Sequence, residues 1–380
     1  MGDKIENILK GVAMLLVGVV IGTYGSKFGE FNSDIYNYKV NALIEEYYGD
    51  TKLDREKLEH LYVEAVAKAV GDKYTFYEYG SDAKDLQESV DGSFCGIGIT
   101  ATLANSGGLE VTEVFEDSPA YKEGLQVKDI IIGVDGEDVQ EESQDYIISK
   151  IKGPKDSYVR LSVLRHDDNI VSLLVKRDTV VIPDVETDEY GNFAYVKIRS
   201  FSKNADEQFT SKVSEMMKDK KYKGLLLDLR DNTGGLLETV ENIADDLMDE
   251  GVLIKAKYKN KKDEVIKLSN GKIVDLPIVV IVNEYTASAS EVLTGALRDN
   301  LGCEVVGEKT YGKGIICSFI EYKDGSVMSV SNGEYILPKG DKINNVGIYP
   351  THYCIKYNST NVDEPLIKAV EVMESIVSNN

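Results

Sequence analysis

The fold is decided by residues 278–317, which read IVVIVNEYTASASEVLTGALRDNLGCEVVGEKTYGKGIIC. The first five, Ile278–Val282, form an unbroken apolar run rich in β-branched side chains, which is typical of a strand buried on both faces. A turn of small residues, Thr286–Ser290, then precedes a helical pattern over Glu291–Arg298. A second strand is predicted over Glu304–Gly307, so the segment has the order strand, turn, helix, strand.

Two side chains in this segment are suited to catalysis. Ser288 lies in the turn before the helix, and Lys313 lies between Gly312 and Gly314 in the loop after the second strand. A serine nucleophile needs an adjacent base. Each residue also has a purely structural interpretation, because Ser288 and Glu291 have the spacing of a helix capping box and Lys313 fits a solvated turn. The segment alone leaves both interpretations open.

Residues 307–313 (GEKTYGK) also match most of a phosphate-binding P-loop. The next residue is Gly314 instead of serine or threonine, and a β-like run, Ile315–Glu321, follows instead of a helix. A magnesium–nucleotide site would lack its hydroxyl ligand, so this interpretation is rejected.

The composition is that of a folded, acidic protein. Of the 380 residues, 42% are hydrophobic and 28% are charged, and the formal net charge is -22. This charge argues against nucleic-acid binding, because the phosphates would be repelled. No CxxC pair and no histidine at zinc-ligand spacing is present, so neither a metal site, a cofactor nor a His-dependent triad is predicted. The cysteines and histidines are Cys95, Cys303, Cys317, Cys354, His60, His166 and His352.

Residues 1–30 predict a membrane anchor or signal segment. Residues 11–25 are apolar throughout and approach, with their flanks, the roughly 18 to 20 residues of a membrane-spanning helix. Lys4 and Lys10 would keep the N-terminus cytoplasmic. An uncleaved anchor is favoured over a cleaved signal peptide, because no clear cleavage site follows Ile21. The chain is therefore predicted to be a single-pass cell-membrane protein with its catalytic part outside the cytoplasm, or an exported protein if the segment is cleaved.

Residues 31–90 are predicted to form an N-terminal helical segment. A short helix is expected over Val40–Tyr48, and a second over Asp54–Val70 with its apolar residues on one stripe. Asp54 suits the N-cap of the second helix, and Gly71 suits the position after its end.

From about Gly92 the pattern changes to short strands separated by turn signals. An ordered set of motifs, GIGI at 96–99, EDSPAYKEGLQVKDIIIGVDGEDV at 116–139 and GPKDSYVRLSVLR at 153–165, resembles a PDZ domain of the bacterial protease type, which is predicted over residues 91–179. The resemblance implies that backbone N–H groups of one loop hold the C-terminal carboxylate of a peptide, which then adds as a strand to the sheet edge. That loop consists of Gly96, Ile97, Gly98 and Ile99. The structural alternative is that its two glycines only form a tight turn.

The second half of the chain has a βαβ rhythm. Core strands are predicted over Phe193–Ile198 and Gly224–Leu229, with a polar helix over Asn204–Lys218 between them, which indicates a partly parallel, buried sheet. Gly234 and Gly235 follow the second strand and precede a helix predicted over Leu236–Met248. Glycines there can present N–H groups to negative charge, although an ordinary strand-to-helix turn is the alternative.

Together these segments resemble the C-terminal processing peptidases, a family of serine proteases with a Ser/Lys dyad. The main motifs are LLLDLRDNTGGLLETV, IVVIVNEYTASASEVLTGALRDN and EVVGEKTYGKG, and the similarity covers nearly the whole chain after the apolar segment. The resemblance implies an α/β (α+β multidomain) fold with a crotonase/ClpP-like protease core over residues 180–380 and the PDZ domain inserted before it. It also implies protein or peptide substrates with exposed C-termini, and a homodimer formed through the N-terminal segment.

The resemblance further implies a role for each site residue. Ser288 corresponds to the nucleophile and Lys313 to the general base, while the N–H of Ala289 and that of Gly234 or Gly235 would form the oxyanion hole. Asp299 corresponds to an aspartate that supports the site.

Cys317 departs from the family pattern. The family usually has GKGxxQ, in which the glutamine orients the lysine, whereas this chain reads GKGIIC. Cysteine is a weak hydrogen-bond donor and acceptor, so the lysine is expected to be held less firmly. Cys317 favours one alternative to a protease, a catalytically weak or inactive PDZ scaffold tethered to the membrane. A crotonase-like acyl-CoA enzyme is a weaker alternative, because the protease core of the family resembles that fold but no acyl-CoA motif is present here.

Overall fold

The computed structural model describes residues 55–218, 221–268, 271–356 and 362–379. The predicted membrane segment and the predicted helix at Val40–Tyr48 lie outside the described residues. Within the described ranges, no helix has both the length and the apolar composition needed to cross a membrane. These residues fall into two compact units, one made of residues 55–84 and 316–332 and the other of the remaining described residues.

Helices and strands alternate along the described part of the chain. The helices are α1 (Arg55–Ala69), α2 (Gly80–Asp91), α3 (Pro119–Lys122), α4 (Gln144–Ile151), α5 (Ala205–Met217), α6 (Leu237–Leu247), α7 (Ala289–Leu301) and α8 (Glu364–Asn379). The strands before α5 are β1 (Phe76–Glu78), β2 (Ser93–Gly96), β3 (Ile99–Leu103), β4 (Leu109–Val114), β5 (Ile130–Val134), β6 (Glu137–Asp138), β7 (Tyr158–Leu164), β8 (Ile170–Lys176), β9 (Asp178–Val181), β10 (Val185–Tyr190) and β11 (Phe193–Ile198). The later strands are β12 (Gly224–Asp228), β13 (Gly251–Tyr258), β14 (Glu264–Leu268), β15 (Ile278–Val282), β16 (Glu304–Gly307), β17 (Ile315–Glu321), β18 (Val327–Ile336) and β19 (His352–Tyr353).

The smaller unit combines α1 with short antiparallel strands. Phe76–Glu78 of β1 pairs with Val327–Ser329 of β18. Asp72 accepts hydrogen bonds from the hydroxyls of Thr75 (2.8 Å) and Ser331 (2.8 Å), and these bonds hold the pKa of its carboxyl below the usual range although burial acts in the opposite direction. The turn after α1 is therefore fixed by one carboxylate.

Within the larger unit, residues 93–181 cover most of the segment predicted to be a PDZ domain. Its sheet has the order β3-β4-β5-β7-β8, with β6 paired to β5, so β3 and β8 are its edge strands. The two-stranded pair β2–β9 joins the start and the end of this segment. The core is aliphatic and includes Ile97, Leu109, Ile131, Ile147 and Leu161, all nearly inaccessible to solvent. Edge strand β3 leaves one row of backbone groups available for another strand.

The main sheet of the larger unit has the order β10-β11-β12-β15-β16-β19. Only β10 is antiparallel, and the other strands run parallel. Every residue of β12 and β15 is buried, as their continuous apolar sequences predict for central strands covered on both faces. Helix α8 covers one face through Leu366, Ala369 and Met373. An α/β multidomain fold is thus confirmed, and the crotonase/ClpP-like comparison stays a prediction.

Helix α7 follows β15 along the chain. It begins at the edge of the main sheet that holds the C-terminal ends of the parallel strands. It is buried on almost every side, and a Cβ on Gly295 would overlap the Leu337 side chain, so only glycine permits this packing. Gly302 ends the helix at a φ of 70°, with its N–H donating to the Arg298 carbonyl at 3.0 Å. Glycine is the usual residue for that left-handed position.

Candidate active site

Ser288 lies between β15 and α7 in a backbone conformation that is rare for serine. Its φ is 58° and its ψ is -119°, whereas residues at a helix N-cap usually have extended backbone. Such strain costs about 1–3 kcal/mol and persists only where the surroundings hold it. A sharp, strained strand-to-helix turn also presents the nucleophilic serine in α/β-hydrolases. The backbone therefore favours a chemical role for Ser288 over a capping role.

The turn before Ser288 is tied to the end of β12. The Thr286 hydroxyl donates to the Leu229 carbonyl at 2.8 Å, and the Ala287 N–H donates to the Asn232 carbonyl at 3.0 Å. Both Thr286 and Asn232 are fully buried. Buried hydrogen bonds of this kind hold a strained turn, because breaking one would leave a polar group without a partner.

Glu291 joins the serine turn to the lysine loop. This side chain is fully buried in the first turn of α7, and its oxygen Oε2 accepts the backbone N–H of Ser288 at 2.9 Å and that of Lys313 at 2.8 Å. The backbone nitrogens of Ser288 and Lys313 are therefore separated by no more than the sum of these two distances. The other oxygen, Oε1, accepts the hydroxyl of Thr310 at 2.5 Å and the N–H of Gly312 at 2.8 Å.

Glu291 acts here as more than a helix cap. The pair has the arrangement of a capping box, in which the Glu291 carboxylate accepts the Ser288 N–H. Burial raises the pKa of the Glu291 carboxyl, and the four donors oppose that rise. An ionised carboxylate only accepts hydrogen bonds, which matches an environment made entirely of donors.

The loop that carries Lys313 is fixed on a second side. The Tyr311 N–H donates to the Thr286 carbonyl at 3.0 Å, and the Thr310 hydroxyl accepts the Ile348 N–H at 2.7 Å. A Cβ on Gly312 would lie 3.1 Å from the Gly347 nitrogen, so this backbone passes close to its neighbour. Lys313 itself is half-buried.

The double-glycine turn packs directly against Ser288. Gly234 has a φ of 111°, and a Cβ there would lie 2.9 Å from the Ser288 Cβ and 3.1 Å from the Ala289 nitrogen. Gly235 has a φ of 144°, and a Cβ there would overlap the Phe201 carbonyl. Both positions thus require glycine. Three predicted site elements, the serine, the lysine loop and the glycine turn, are brought together.

The three predicted oxyanion-hole donors are not equivalent. Ala289 is the first residue of α7, so its N–H has no partner within the helix. The Gly234 N–H donates to Asn232 Oδ1 at 2.9 Å. Among the described residues, the Gly235 N–H makes no such bond. Of the two glycines, Gly235 is therefore the better candidate donor.

Asp299 is not close to the serine turn. It lies eleven residues after Ser288 in the same helix, roughly 16 Å along the axis. Its carboxylate is paired with Arg298 at 2.8 Å and accepts the Lys339 N–H at 3.0 Å. These contacts indicate a structural role, in which Asp299 anchors the chain at Lys339, and the supporting role that the family resemblance implies for it stays a prediction.

Cys317 belongs to the smaller unit. It lies on β17, is half-buried and has a free thiol. Its predicted effect on the dyad stays a prediction.

The loop at residues 96–99 connects β2 to β3, and its predicted role in peptide binding stays a prediction. Ile97 is buried in the PDZ core, and its carbonyl accepts the Ala120 N–H at 2.8 Å. Gly98 has a φ of 84°, and a Cβ there would overlap the Ser118 side chain. Gly96 ends β2 and Ile99 begins the edge strand β3. The loop therefore leads straight into the edge at which a peptide strand could add.

Comparison with known families agrees with this architecture. Residues 192–354 match the model of peptidase family S41, and residues 86–164 match that of the PDZ domain. The chain belongs to peptidase family S41. This confirms the resemblance to the C-terminal processing peptidases.

The S41 chain has relatives in staphylococci. It is 33% identical over 330 residues to a "Probable CtpA-like serine protease" of Staphylococcus epidermidis, covering 86% of this chain and 66% of that one. It is 31% identical over 342 residues to a protein of the same description from Staphylococcus saprophyticus, covering 88% of this chain and 66% of that one. The chain thus spans slightly less than two thirds of the length of these relatives.

A solved structure supports the fold. A protein from Bacteroides fragilis described as an S41 protease superposes with a TM-score of 0.59 at 15% identity, over 92% of this chain and 100% of that one. A photosystem II D1 C-terminal processing protease gives a TM-score of 0.49 at 28% identity, over 84% and 88% of the two chains.

The sequence does not reveal every residue of the candidate site. Its pattern indicates only a capping role for Glu291 and no role for Asn232 or Thr310. The spacing of Glu291 from the serine does not show that its carboxylate reaches a loop about twenty residues later. Among the described residues, no cluster of His, Cys, Asp and Glu is placed to hold a metal ion.

Proposed function

We propose that this S41 chain is a serine endopeptidase that cleaves protein substrates with Ser288 as nucleophile and Lys313 as general base. The observation that supports the proposal best is the shared carboxylate oxygen, because Glu291 Oε2 accepts the N–H of both Ser288 and Lys313. The strained backbone of Ser288 and the glycine turn packed against it support the same conclusion.

The reaction proceeds by acyl transfer. Neutral Lys313 takes the proton of the Ser288 hydroxyl while the oxygen attacks the scissile carbonyl carbon. The N–H groups of Ala289 and Gly235 hold the negative charge that develops on the carbonyl oxygen. The C–N bond then breaks as the leaving amine receives the proton from Lys313. Water, deprotonated by Lys313, hydrolyses the acyl-enzyme and restores Ser288.

The PDZ domain selects substrates through their exposed C-termini. The loop from Gly96 to Ile99 holds the terminal carboxylate, and the substrate tail adds as a strand beside β3. The edge position of β3 in the sheet supports this mode. The expected preference is for substrates with a free C-terminal carboxylate over the same substrates with an amidated C-terminus.

The enzyme works outside the cytoplasm, held to the cell membrane by its first thirty residues, and residues 31–90 pair two copies of the chain. The apolar sequence at 11–25 supports the anchor. Fractionation of cells that express the full chain tests the location: protein in the membrane pellet, degraded when protease is added to intact spheroplasts, is expected. Recovery in the soluble cytoplasmic fraction would contradict it, and sedimentation of the solubilised chain tests the pairing.

The activity is tested by cleavage of β-casein, an unfolded protein. Wild type should cleave it, and Ser288→Ala and Lys313→Ala should each lose at least about 1,000-fold in rate, because members of a nucleophile–base pair act as one unit. Lys309→Ala is the matched control, since this exposed lysine precedes the same loop and contacts the Tyr349 ring. Equal loss in the control, or full activity without Lys313, would refute the dyad.

The second candidate function is a membrane-tethered PDZ scaffold with little or no proteolytic activity. The cysteine at position 317, where the family usually has glutamine, favours it. A wild type that binds tailed peptides but does not cleave β-casein would support the scaffold. Cys317→Gln would then gain cleavage if the weak side chain is the cause, and would remain inactive if it is not.

A further inference from the structure

Asn232 connects three segments around the candidate site. Its side chain is fully buried, with Nδ2 donating to the Ile198 carbonyl at 3.0 Å and Oδ1 accepting the Gly234 N–H at 2.9 Å. Its backbone carbonyl accepts the Ala287 N–H and the Ser290 hydroxyl, both at 3.0 Å. These last two residues flank Ser288 closely. One asparagine thus fixes the glycine turn relative to the serine turn.

The two glycines after Asn232 differ in where their N–H groups point. The Gly234 carbonyl accepts the Phe201 N–H at 3.0 Å, and the Leu236 N–H donates to the Phe201 carbonyl at 2.8 Å. In an extended segment alternate residues bond on opposite sides, so the Gly235 N–H points away from Phe201. With the Gly234 N–H held by Asn232, Gly235 is the glycine whose N–H remains available.

We propose that Asn232 is a positioning residue for the oxyanion hole: by binding the Gly234 N–H, it orients the turn so that the Gly235 N–H meets the substrate carbonyl. This rests on the proposed function, because an oxyanion hole matters only if Ser288 attacks a carbonyl. The primary amide makes both bonds, since its NH₂ group donates to Ile198 and its oxygen accepts from Gly234, and the accepting oxygen is the part that the proposal needs. Alanine provides neither bond.

Kinetics on β-casein test the proposal. Asn232→Ala should lower kcat about 100-fold with little change in KM, because an oxyanion donor acts mainly in the transition state. Asn232→Asp retains the acceptor for Gly234 and should keep at least ten times the kcat of the alanine variant. A peptide aldehyde, whose adduct with Ser288 uses the same hole, should lose affinity for Asn232→Ala in proportion to kcat/KM.

Asn283→Ala is the matched control. Asn283 also ties the two turns, through bonds of 3.0 and 2.8 Å to the backbone N–H and the side chain of Asp231, but it does not touch a glycine N–H. A role limited to holding the turns together predicts similar losses for both asparagines. The proposal predicts a kcat loss at least ten times larger for Asn232→Ala, and equal losses would overturn it.

Hydrogen exchange separates this proposal from the proposed function. In the Ser288→Ala background, Asn232→Ala should speed exchange of the amides in residues 231–236 by at least tenfold, whether or not the chain is a protease. Faster exchange with an inactive wild type would refute the protease alone. An active wild type whose Asn232→Ala variant retains kcat, or exchanges no faster, would refute the positioning role alone. If Asn232→Ala does not fold, the Asn232→Asp variant carries the test: a 100-fold loss of kcat in that folded variant would overturn the proposal.

Discussion

At the residue scale, one buried carboxylate carries most of the site geometry. Glu291 receives four hydrogen bonds from the two loops that hold Ser288 and Lys313. Hydrogen bonds to a charged group contribute about 1.5–3 kcal/mol each, roughly twice the neutral kind. The backbone bonds to Glu291 therefore fix the relative positions of the two residues of the proposed dyad.

Glu291→Gln should disable the enzyme while it remains folded. The amide replaces one accepting oxygen with an NH₂ group that faces N–H and O–H donors, so at least one bond is lost and one donor is left unpaired. We expect a loss of about 100-fold in β-casein cleavage and about 2 kcal/mol in the free energy of unfolding. Urea unfolding followed by circular dichroism measures the second quantity.

Glu304→Gln is the control for that change. Glu304 lies on β16 with a partly exposed side chain that pairs with His352 at 3.2 Å, so both activity and stability should stay close to those of wild type. If Glu291→Gln is as active as Glu304→Gln, the shared carboxylate is not what aligns the dyad.

Asp299 gives the opposite prediction for a residue of the same helix. Asp299→Asn should weaken the anchoring of Lys339 and lower stability by about 1–2 kcal/mol, because a charged hydrogen bond and an ion pair are lost. Activity per folded molecule should change less than threefold. A 100-fold loss of kcat in protein that thermal melting shows to be fully folded would instead support the role at the site that the family resemblance implies for Asp299.

At the element scale, the turns are the least tolerant parts of the fold. Gly98 and Gly124 have similar left-handed φ values, 84° and 77°, yet a Cβ would overlap Ser118 at the first and meet nothing within 4 Å at the second. Ser118 also caps α3 by accepting the Tyr121 N–H at 3.2 Å. Comparing substitutions at the two glycines therefore distinguishes the effect of steric overlap from the effect of backbone strain.

Gly98→Ala should abolish binding of a peptide with a free C-terminal carboxylate, whereas Gly124→Ala should retain it. The second change costs only the left-handed strain, about 1–2 kcal/mol. Fluorescence anisotropy of a labelled peptide on the whole chain, alongside thermal melting, measures both effects. Equal peptide binding by the two variants would contradict this prediction, because it would show that the overlap between the new Cβ and Ser118 does not disturb the peptide-binding loop.

The elements that sequence predicted well are those whose pattern is local. Strands Ile278–Val282 and Glu304–Gly307 match their predicted bounds. The first is a continuous β-branched run, which is typical of a central strand. Helix α7 begins at Ala289, two residues before the predicted start, because Ser288 takes the N-cap position in an unusual conformation. No expectation covers strands β13 and β14, whose residues belong to none of the motifs on which the other predictions rest.

The site was predicted less completely than the fold. Ser288, Lys313 and the double glycine follow from motifs, but the choice between Gly234 and Gly235 depends on which N–H Asn232 holds. The position of the Asn232 side chain depends in turn on the positive φ of Asp231, and a hydrophobic pattern in the sequence does not predict such a backbone conformation. Residues that act through long-range backbone bonds, such as Glu291, are invisible to local patterns for the same reason.

At the scale of the whole molecule, Asp184 lies where the chain leaves the PDZ domain for the main sheet. It is only 2% exposed, its carboxylate accepts the Ser202 hydroxyl, and its N–H donates to the Gln208 side chain at 3.0 Å. Burial raises its pKa from 3.8 to about 6, while Ser202 and the nearby Arg199 act to lower it. Arg199 is itself paired with Glu113 and Glu186.

The raised pKa of Asp184 predicts a pH-dependent stability. The folded chain retains a proton that the unfolded chain has released, so this stabilisation is complete below pH 4 and is lost as the pH rises through about 6. Asp184→Asn removes the titration. The free energy of unfolding of the variant minus that of wild type should therefore rise by about 1 kcal/mol from pH 5 to pH 7.5. A difference that does not change with pH would contradict the assignment.

The central claim is that Ser288 is a nucleophile activated by Lys313, and active-site labelling tests it most directly. The full chain is treated with a fluorophosphonate, which reacts with activated serine hydroxyls, and the modified peptide is located by mass spectrometry. We expect a single adduct on Ser288, with labelling at least tenfold slower in Lys313→Ala and unchanged in Lys309→Ala. An adduct on another serine, or labelling of Ser288 that does not depend on Lys313, would contradict it.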